Sequence, residues 1–234
     1  MSTLVELQDQ GANGIWARLA NGVCRRAFSS PEAFAYEATI APALAKVVVP
    51  VIRPMVVGHR VLDVGCGGGL IATSIAGSCG VDVFGVDPSI SQVRRLSHRS
   101  PKRGATFAVR SRAESLPFPV DTFDTLISSC AWKHWPDPKA AVAECVRVVR
   151  PGGKIVIVEI DGSSTAADFW RFARGSRVPV GLRRAYVRFA MRTVVGVAPD
   201  PLALANSFAD VDVVPFDVDK IEEMPFLVAE IVVI

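Results

Sequence analysis

The sequence is poor in the residues that build disulfides and metal sites. It has five cysteines and three histidines in 234 residues, and no two cysteines are spaced as C-x-x-C. The cysteines are Cys24, Cys66, Cys79, Cys130 and Cys145. An odd count without paired spacing argues against a disulfide framework and a zinc site, so we expect reduced, buried thiols in a cytoplasmic protein.

Long apolar runs and a strong charge of one sign are also missing. The most apolar stretches, 47–57 and 226–234, are too short to cross a bilayer, and each contains a charge or prolines. The first residues lack the pattern of a secretory signal. The formal charge of +3 does not by itself indicate nucleic acid or membrane. With 50% hydrophobic residues, the chain is expected to fold, and its length suits one domain.

From residue 60 the sequence alternates short β-branched runs with helical patterns. Strands are predicted over 60–64, 82–86, 105–109, 122–128 and 154–159, and helices over 70–79, 90–98 and 139–149. This order is typical of an α/β fold with a mostly parallel sheet and helices on both faces. Pro151 and the two glycines after it predict the turn into the fifth strand. Two apolar runs, 211–216 and 226–233, have no helix between them, so they predict a closing antiparallel hairpin.

A glycine-rich loop follows the first of these strands. Residues 61–69 read VLDVGCGGG, and glycine there lets bare backbone approach a ligand closely. The dinucleotide pattern G-x-G-x-x-G fails, because counting from Gly65 its last position falls on Leu70. Asp63 precedes the glycines, and Asp87 ends the next strand, where a carboxylate can accept both hydroxyl protons of a ribose. The loop is therefore predicted to hold a nucleoside, and an NAD-linked oxidoreductase is disfavoured.

Four blocks of sequence, in order, resemble the class I S-adenosylmethionine-dependent methyltransferases. They are LDVGCGGG at 62–69, GVD at 85–87, ESLPF with a later FD within 114–124, and RVVRPGGK at 147–154. The resemblance is to the small-molecule branch that includes the ubiquinone and menaquinone methyltransferases. It implies a Rossmann-like fold with a seven-stranded sheet, S-adenosylmethionine as cofactor and S-adenosylhomocysteine as product.

The resemblance also implies an organisation and a cofactor pose. Residues 1–234 would form one methyltransferase domain, with a helical cap over 1–57, a cofactor-binding core over 58–160, a basic helical insert over 165–196 and the hairpin within 208–234. The implied cofactor-binding residues are Asp63, Gly65, Cys66, Gly67, Asp87, Pro88, Ala113, Glu114 and Ser128. Asp63 would lie near the ammonium group, Asp87 would hold the ribose, and Ser128 would lie near the methyl group. Arg112 departs from the family, which often has an acid there for the adenine amino group.

The segment after the fourth strand is the predicted place of the reaction. It reads SSCAWKHW over 128–135, and His134 is the candidate catalytic general base because an ordinary histidine titrates near neutrality. A packing or capping role for His134 stays open. No Asn/Asp-Pro-Pro-Tyr or Pro-Cys motif follows the strand, which disfavours adenine, glutamine and cytosine-C5 methylation. Asp137, the carboxylate here, more simply caps a helix, so we expect no metal.

The insert over 165–196 concentrates the basic charge. It carries seven arginines and one acid, Asp168, so the remainder of the chain has more acids than bases. Leu182, Tyr186 and Phe189 fall at helical spacing on one side, and the arginines at 184, 188 and 192 on another. The insert could be a solvated face, a lid over the site, or a contact with an anionic membrane. A nucleic-acid surface is less favoured, because no RNA-binding module is appended.

The sequence favours methyl transfer from S-adenosylmethionine to an oxygen or carbon of a small apolar or amphipathic molecule, of quinol, phenol, polyketide or lipid type. The predicted substrate-binding residues are Tyr36, Trp132, Trp170 and Arg174, with Phe34 as a further contributor. Two alternatives stay open: an RNA methyltransferase that uses the insert, and a non-catalytic cofactor-binding protein. The oligomeric state, monomer or homodimer, also stays open.

Overall fold

The structure, a computed structural model, describes residues 31–234, and their side chains from residue 35 onward. Within these residues seven strands form one sheet. The strands are β1 (Arg60–Val64), β2 (Asp82–Asp87), β3 (Ala105–Arg110), β4 (Phe123–Ser129), β5 (Val149–Ile160), β6 (Val218–Lys220) and β7 (Phe226–Val232). The helices are α1 (Pro31–Thr39), α2 (Ala41–Ile52), α3 (Leu70–Cys79), α4 (Ile90–Ser97), α5 (Pro138–Val148), α6 (Ala166–Gly175), α7 (Arg183–Thr193) and α8 (Pro201–Asn206).

The sheet has the order β3-β2-β1-β4-β5-β7-β6. The first five strands run parallel, while β7 runs antiparallel to both β5 and β6. This confirms the predicted α/β sheet with its antiparallel end. The chain leaves β1 towards β2 on one side and returns to β4 on the other. The carboxyl ends of β1 and β4 therefore border the crevice in which open α/β sheets bind their ligands.

Both faces of the sheet are covered by helices, and alternate strand residues supply the two halves of the core. In β5, Val156 and Val158 pack on the face that carries α2, α3, α6 and α7. Ile155 and Ile157 pack on the opposite face, against α5 and Leu204 of α8. Strands buried on both faces read as nearly continuous apolar runs, which explains why the sequence pattern located them.

Two helices begin at an aspartate followed by proline. Asp137 caps α5 by accepting a hydrogen bond from the backbone of Ala140 at 3.1 Å, which confirms its capping role. Asp200 caps α8 in the same way, through the backbone N–H of Ala203 at 2.7 Å. Helix α8 was not predicted, although the same capping signal is present in the sequence.

The predicted hairpin is present, but its first strand is misplaced. The strand β6 lies at Val218–Lys220 and not at 211–216. In the predicted segment, Val213 makes one isolated bridge to Val233, and the backbone N–H of Val214 donates to Val232. Pro215 has no N–H to donate, so the ladder breaks there before it resumes in β6.

The basic insert forms the paired helices α6 and α7, and its faces differ from those predicted. Val187 and Ala190 of α7 are buried, and Tyr186 lies on the same inner side. Leu182 and Phe189 are exposed instead, so they do not share the side of Tyr186. Leu182 belongs to a 3-10 turn before the helix, and Phe189 lies about 160° around the helix axis from Val187 and about 100° from Ala190. No helix in the described part of the chain is long and apolar enough to cross a membrane.

Candidate active site

The glycine loop between β1 and α3 forms one wall of a cavity of about 720 Å³ at the carboxyl edge of the sheet. Its first two amides, of Gly65 and Cys66, both donate to the carbonyl of Val86, which ties the loop to β2. Gly65 has a φ of +78°, and a Cβ there would lie 2.3 Å from the Cβ of Ala131. The loop therefore requires glycine at this position for both its conformation and its packing.

Two buried carboxylates lie under the loop. Asp63 is 1% exposed, and its Oδ2 has no hydrogen-bond partner among the described residues. Burial, and then the nearby Asp87 carboxylate, raise the pKa of Asp63 to about 7. Asp87 accepts hydrogen bonds from the amides of Gly67 at 3.1 Å and Ser89 at 2.8 Å. Burial raises its pKa although these two bonds oppose the shift. The cavity thus presents a carboxylate oxygen that a bound cation or donor would satisfy.

A third carboxylate, which sequence reasoning missed, reaches the loop from α1. Glu37 lines the cavity, and its Oε1 accepts a hydrogen bond from the amide of Gly68 at 3.0 Å. Arg99 lies 3.3 Å from the other oxygen of Glu37 and also donates to the carbonyl of Gly68. The Gly68 peptide is therefore held on both sides. No local motif marks these contacts, since Glu37 and Arg99 are each 31 residues from Gly68.

A turn at 111–115, after β3, also borders the cavity. Ala113 and Glu114 line the cavity together with Pro88, as the implied adenine site requires. Arg112 lines it too and forms a bridge with Ser115. Glu114 also accepts a hydrogen bond from the amide of Asp137 at 3.4 Å, which anchors the turn to the start of α5.

Beyond the loop, the cavity is lined by Tyr36, Cys130, Lys133 and His134. Lys133 donates to Glu159 at 2.8 Å and to the carbonyl of Cys130 at 2.7 Å. Both side chains of this ion pair are almost fully buried. Glu159 ends β5, and its carboxylate also accepts from the amides of Lys133 and Ile160. These bonds compensate a charge pair that would otherwise be costly to bury.

The pKa of His134 differs from the value expected from the sequence. Burial, assisted by the charge of Lys133, lowers the pKa of His134 to about 3. The expectation that His134 titrates near neutrality is therefore wrong, and its imidazole is neutral at physiological pH. Burial raises the pKa of Cys130 to about 12 and holds that of Tyr36 well above its usual value. All three groups are uncharged at neutral pH.

Four predicted residues lie outside this cavity. Ser128 is fully buried, and its hydroxyl donates to the carbonyl of Val64 at 2.9 Å, so it holds β4 to β1. Its neighbours Ser129 and Cys130 line the cavity in its place. Trp132 packs against the core on the α5 face. Trp170 lines a separate groove, and Arg174 is exposed on α6. The side chain of Phe34 and the thiol Cys24 lie outside the described residues.

Comparison with known proteins agrees with this geometry. Residues 62–157 match the family described as the methyltransferase domain. The match covers 96 of the 234 residues, from β1 into β5, so this part of the chain is similar to a methyltransferase domain. A curated relative, the ubiquinone biosynthesis O-methyltransferase of Rhizobium etli, is 35% identical over 117 residues. That match covers 50% of this chain and 47% of the relative, so the chain spans about half the length of the curated relatives it matches.

Solved structures of methyltransferases share the fold of this chain over nearly its whole length. The plantazolicin methyltransferase BpumL, in complex with a desmethylPZN analogue and SAH, has a TM-score of 0.69 and 12% identity. It covers 96% of this chain and 98% of its own. A methyltransferase from Thermotoga maritima, titled as a possible histamine N-methyltransferase, has a TM-score of 0.61 and 17% identity, and covers 94% and 98%. These structures confirm the fold that the resemblance implies, and the match over residues 62–157 agrees with that resemblance.

The residues that line the cavity suit S-adenosylmethionine. The unsatisfied Oδ2 of Asp63 offers an acceptor for an ammonium group, and the amides and φ-positive glycines of the loop leave room for a ligand. Asp87, at the end of β2, lines the same cavity. Within the described residues, no group of three or more His, Cys, Asp or Glu side chains is arranged to hold a metal ion. The four described cysteines are free thiols.

Proposed function

We propose that this protein transfers a methyl group from S-adenosylmethionine to an oxygen or carbon atom of a small apolar or amphipathic molecule. The observation that carries the proposal is one cavity shared by two sets of groups. Asp63, Asp87 and the glycine loop line it, and so does a second set, Tyr36, Cys130 and His134, which we call the acceptor end. The printed name of the Rhizobium etli relative, a ubiquinone biosynthesis O-methyltransferase, supports a small-molecule acceptor.

S-adenosylmethionine supplies a methyl group on a sulfonium, which a nucleophile takes by in-line displacement. The chain's part is to bind, align and exclude water. Asp63 would accept from the cofactor ammonium group and Asp87 from its ribose. Residues of the Ala113–Glu114 turn would border the adenine. Tyr36 would help to close the cavity over the acceptor, since it reaches the same space from α1.

The low pKa of His134 restricts its role. A phenol has an ordinary pKa of about 10, so complete proton transfer from it to a histidine with a pKa of about 3 is uphill by about 10 kcal/mol. We therefore propose that His134 accepts a hydrogen bond from the hydroxyl group of the substrate. The hydroxyl oxygen would bond to the methyl carbon as the carbon–sulfur bond breaks and S-adenosylhomocysteine leaves. The new bond makes the hydroxyl proton strongly acidic, so the proton would pass to His134 and then to solvent, and no free phenoxide or alkoxide would precede transfer.

The test is a methyl-transfer screen with labelled cofactor over quinols, phenols, polyketides and lipids. It compares the wild type with three variants. His134→Ala removes the imidazole, His134→Gln keeps a hydrogen-bond acceptor at this position, and His98→Ala is a surface control. We expect turnover with at least one acceptor, and a loss of about 10²-fold or more in kcat/KM for His134→Ala. We expect partial recovery in His134→Gln and no change in His98→Ala. Cofactor binding without turnover on any acceptor class would contradict the reaction; full activity of His134→Ala would contradict the role of His134.

A further inference from the structure

The insert carries large apolar side chains that no described residue covers. Val180 is 76% exposed, Leu182 is 59% exposed and Phe189 is 50% exposed. All three lie within ten residues, in the 3-10 turn before α7 and in α7 itself. Apolar side chains exposed singly are ordinary, but a cluster of them on one element indicates an interaction surface.

A row of arginines lies beside these apolar side chains. Arg184, Arg188 and Arg192 recur every fourth residue of α7, so they share one line along the helix. All three are exposed, and none makes an ion pair with a described residue. Arg171 of α6 differs, because it pairs with Asp168 and Glu223. The outer face of α7 therefore combines uncompensated positive charge with exposed apolar surface.

A groove lies between the two helices of the insert. It has a volume of about 420 Å³ and is lined by Trp170 of α6 and by Val187, Arg184 and Arg188 of α7. Two guanidinium groups at an opening with an apolar floor suit an anionic head group attached to an apolar body. Arginine recognises phosphate through several N–H donors at once, and tryptophan favours the boundary between apolar and polar surroundings.

The inner face of the same helix reaches the active site. Tyr186 lies close enough to Cys130 for the thiol to perturb it, and Cys130 lines the acceptor end of the cavity. Burial raises the pKa of Tyr186 above its usual range, so its hydroxyl stays protonated. Helix α7 therefore packs with its inner side in the same core cluster as Cys130 and turns its outer side to solvent.

We propose that α7 and the turn before it dock on an anionic lipid bilayer. Leu182 and Phe189 enter the interfacial layer, the arginine row lies on the head groups, and the groove at Trp170 holds one lipid phosphate. The exposed apolar side chains favour a bilayer over an RNA as the partner. The phosphates of an RNA would form ion pairs with the arginines but would leave Val180 and Leu182 in water. This inference concerns binding and does not rest on the proposed reaction.

The charge part of the proposal is tested by vesicle co-sedimentation. The full chain is mixed with vesicles of phosphatidylcholine alone or of phosphatidylcholine with phosphatidylglycerol. We expect binding to the anionic vesicles only. Each arginine near such a surface contributes roughly fivefold in partitioning, so the triple variant R184Q/R188Q/R192Q should bind about a hundredfold more weakly. The matched control R94Q/K102Q/R103Q removes three exposed charges elsewhere and should bind like the wild type.

The apolar part is tested with Phe189→Ser, which keeps every charge and should weaken binding to anionic vesicles at high salt as well as at low salt. Circular dichroism checks that the variants fold, which is expected because all the substituted side chains are exposed. Equal binding to neutral and anionic vesicles, no binding to either, or an equal loss in the control triple would overturn the proposal. So would retention of single-stranded RNA at moderate salt without vesicle binding. Inhibition of methyl transfer by inorganic phosphate, with no vesicle binding, would also overturn the proposal, because the groove would then bind a soluble anion and not a lipid.

Discussion

Asp63 is expected to make the stability of the ligand-free protein fall as the pH rises. Burial and the neighbouring Asp87 raise its pKa from 3.8 to about 7. The pKa of this carboxyl is thus higher in the folded chain than in the unfolded one. Between the two values the folded chain keeps a proton that the unfolded chain releases. The stability contributed by this proton is complete below pH 3.8 and is lost as the pH rises through about 7.

A pKa difference of this size corresponds to about 4 kcal/mol once both states have titrated. About 2 to 3 kcal/mol of that change falls between about pH 5 and pH 8, because the unfolded chain has already lost most of its proton at the lower limit. The change is large against a total stability of about 5 to 15 kcal/mol for an ordinary domain, so it is measurable.

The assay is urea unfolding, followed by circular dichroism in steps from about pH 5 to pH 8. It uses the wild type, Asp63→Asn and the exposed-site control Asp219→Asn. The stability of the wild type relative to Asp63→Asn should fall by about 2 to 3 kcal/mol over this range, whereas Asp219→Asn should follow the wild type. Parallel curves for the wild type and Asp63→Asn would refute a titrating buried carboxyl at this site.

Cofactor binding provides a second measurement on the same residue. If the ionised Asp63 pairs with the cofactor ammonium group, its proton must leave on binding. The affinity measured by calorimetry should therefore rise about tenfold from about pH 6 to pH 8 in the wild type and stay flat in Asp63→Asn. If the affinity of the wild type does not change with pH, Asp63 does not pair with the ammonium group of the cofactor.

Substitutions at three further places test the packing around the cavity: the Lys133–Glu159 pair, Gly65 and Ser128. Lys133→Met or Glu159→Gln leaves an uncompensated or weakly partnered buried group and should cost about 3 to 5 kcal/mol in urea unfolding, with part of the loss recovered in the double variant. Gly65→Ala should abolish cofactor binding in calorimetry, because of its positive φ and the close contact, while Gly181→Ala, which meets no atom within 4 Å, should bind normally. Ser128→Ala should lose about 1 kcal/mol of stability and keep its cofactor affinity; a large loss of affinity would return this hydroxyl to the site.

The parts of the fold that sequence reasoning located are those with local signals. Four of the five parallel strands lie within one residue of their predicted bounds, and all of these except the edge strand β3 are buried. The fifth, β5, begins at Val149, five residues before its predicted start. Pro151 and the two glycines after it therefore lie inside this strand, and their prediction as a turn before it is wrong, because an irregularity in the β4–β5 pairing accommodates them there. The loop at 65–69 follows from its glycines, and the start of α5 from Asp137 and the proline after it. The edge strand β6 was misplaced, because Val213 and Val214 have the composition of a strand while Pro215 interrupts their ladder.

Part of the candidate site was predicted from the sequence, because that part also has local signals. The residues under and beside the loop, from Asp63 to Glu114, belong to contiguous blocks, and the structure brings Asp63, Asp87 and Glu114 to one cavity. Their roles towards a cofactor stay predictions. Ser128 was chosen from its place at the end of β4, but its hydroxyl turns to the neighbouring strand. Residue alternation in a strand determines the face of a side chain and not its hydrogen-bond partner.

The sequence by itself determined the α/β order, the glycine loop and the two aspartates beside it, since each depends on neighbours within a few residues. Only the tertiary structure decided that Glu37 and Arg99 hold the Gly68 peptide, and that Glu159 pairs with Lys133 beside the acceptor end. It also decided that His134 is neutral, because a pKa depends on burial and on charges from other elements. The sequence located the arginine row of the insert, but only the tertiary structure decided that Leu182 and Phe189 are exposed beside it, because burial depends on which side of the helix packs on the domain.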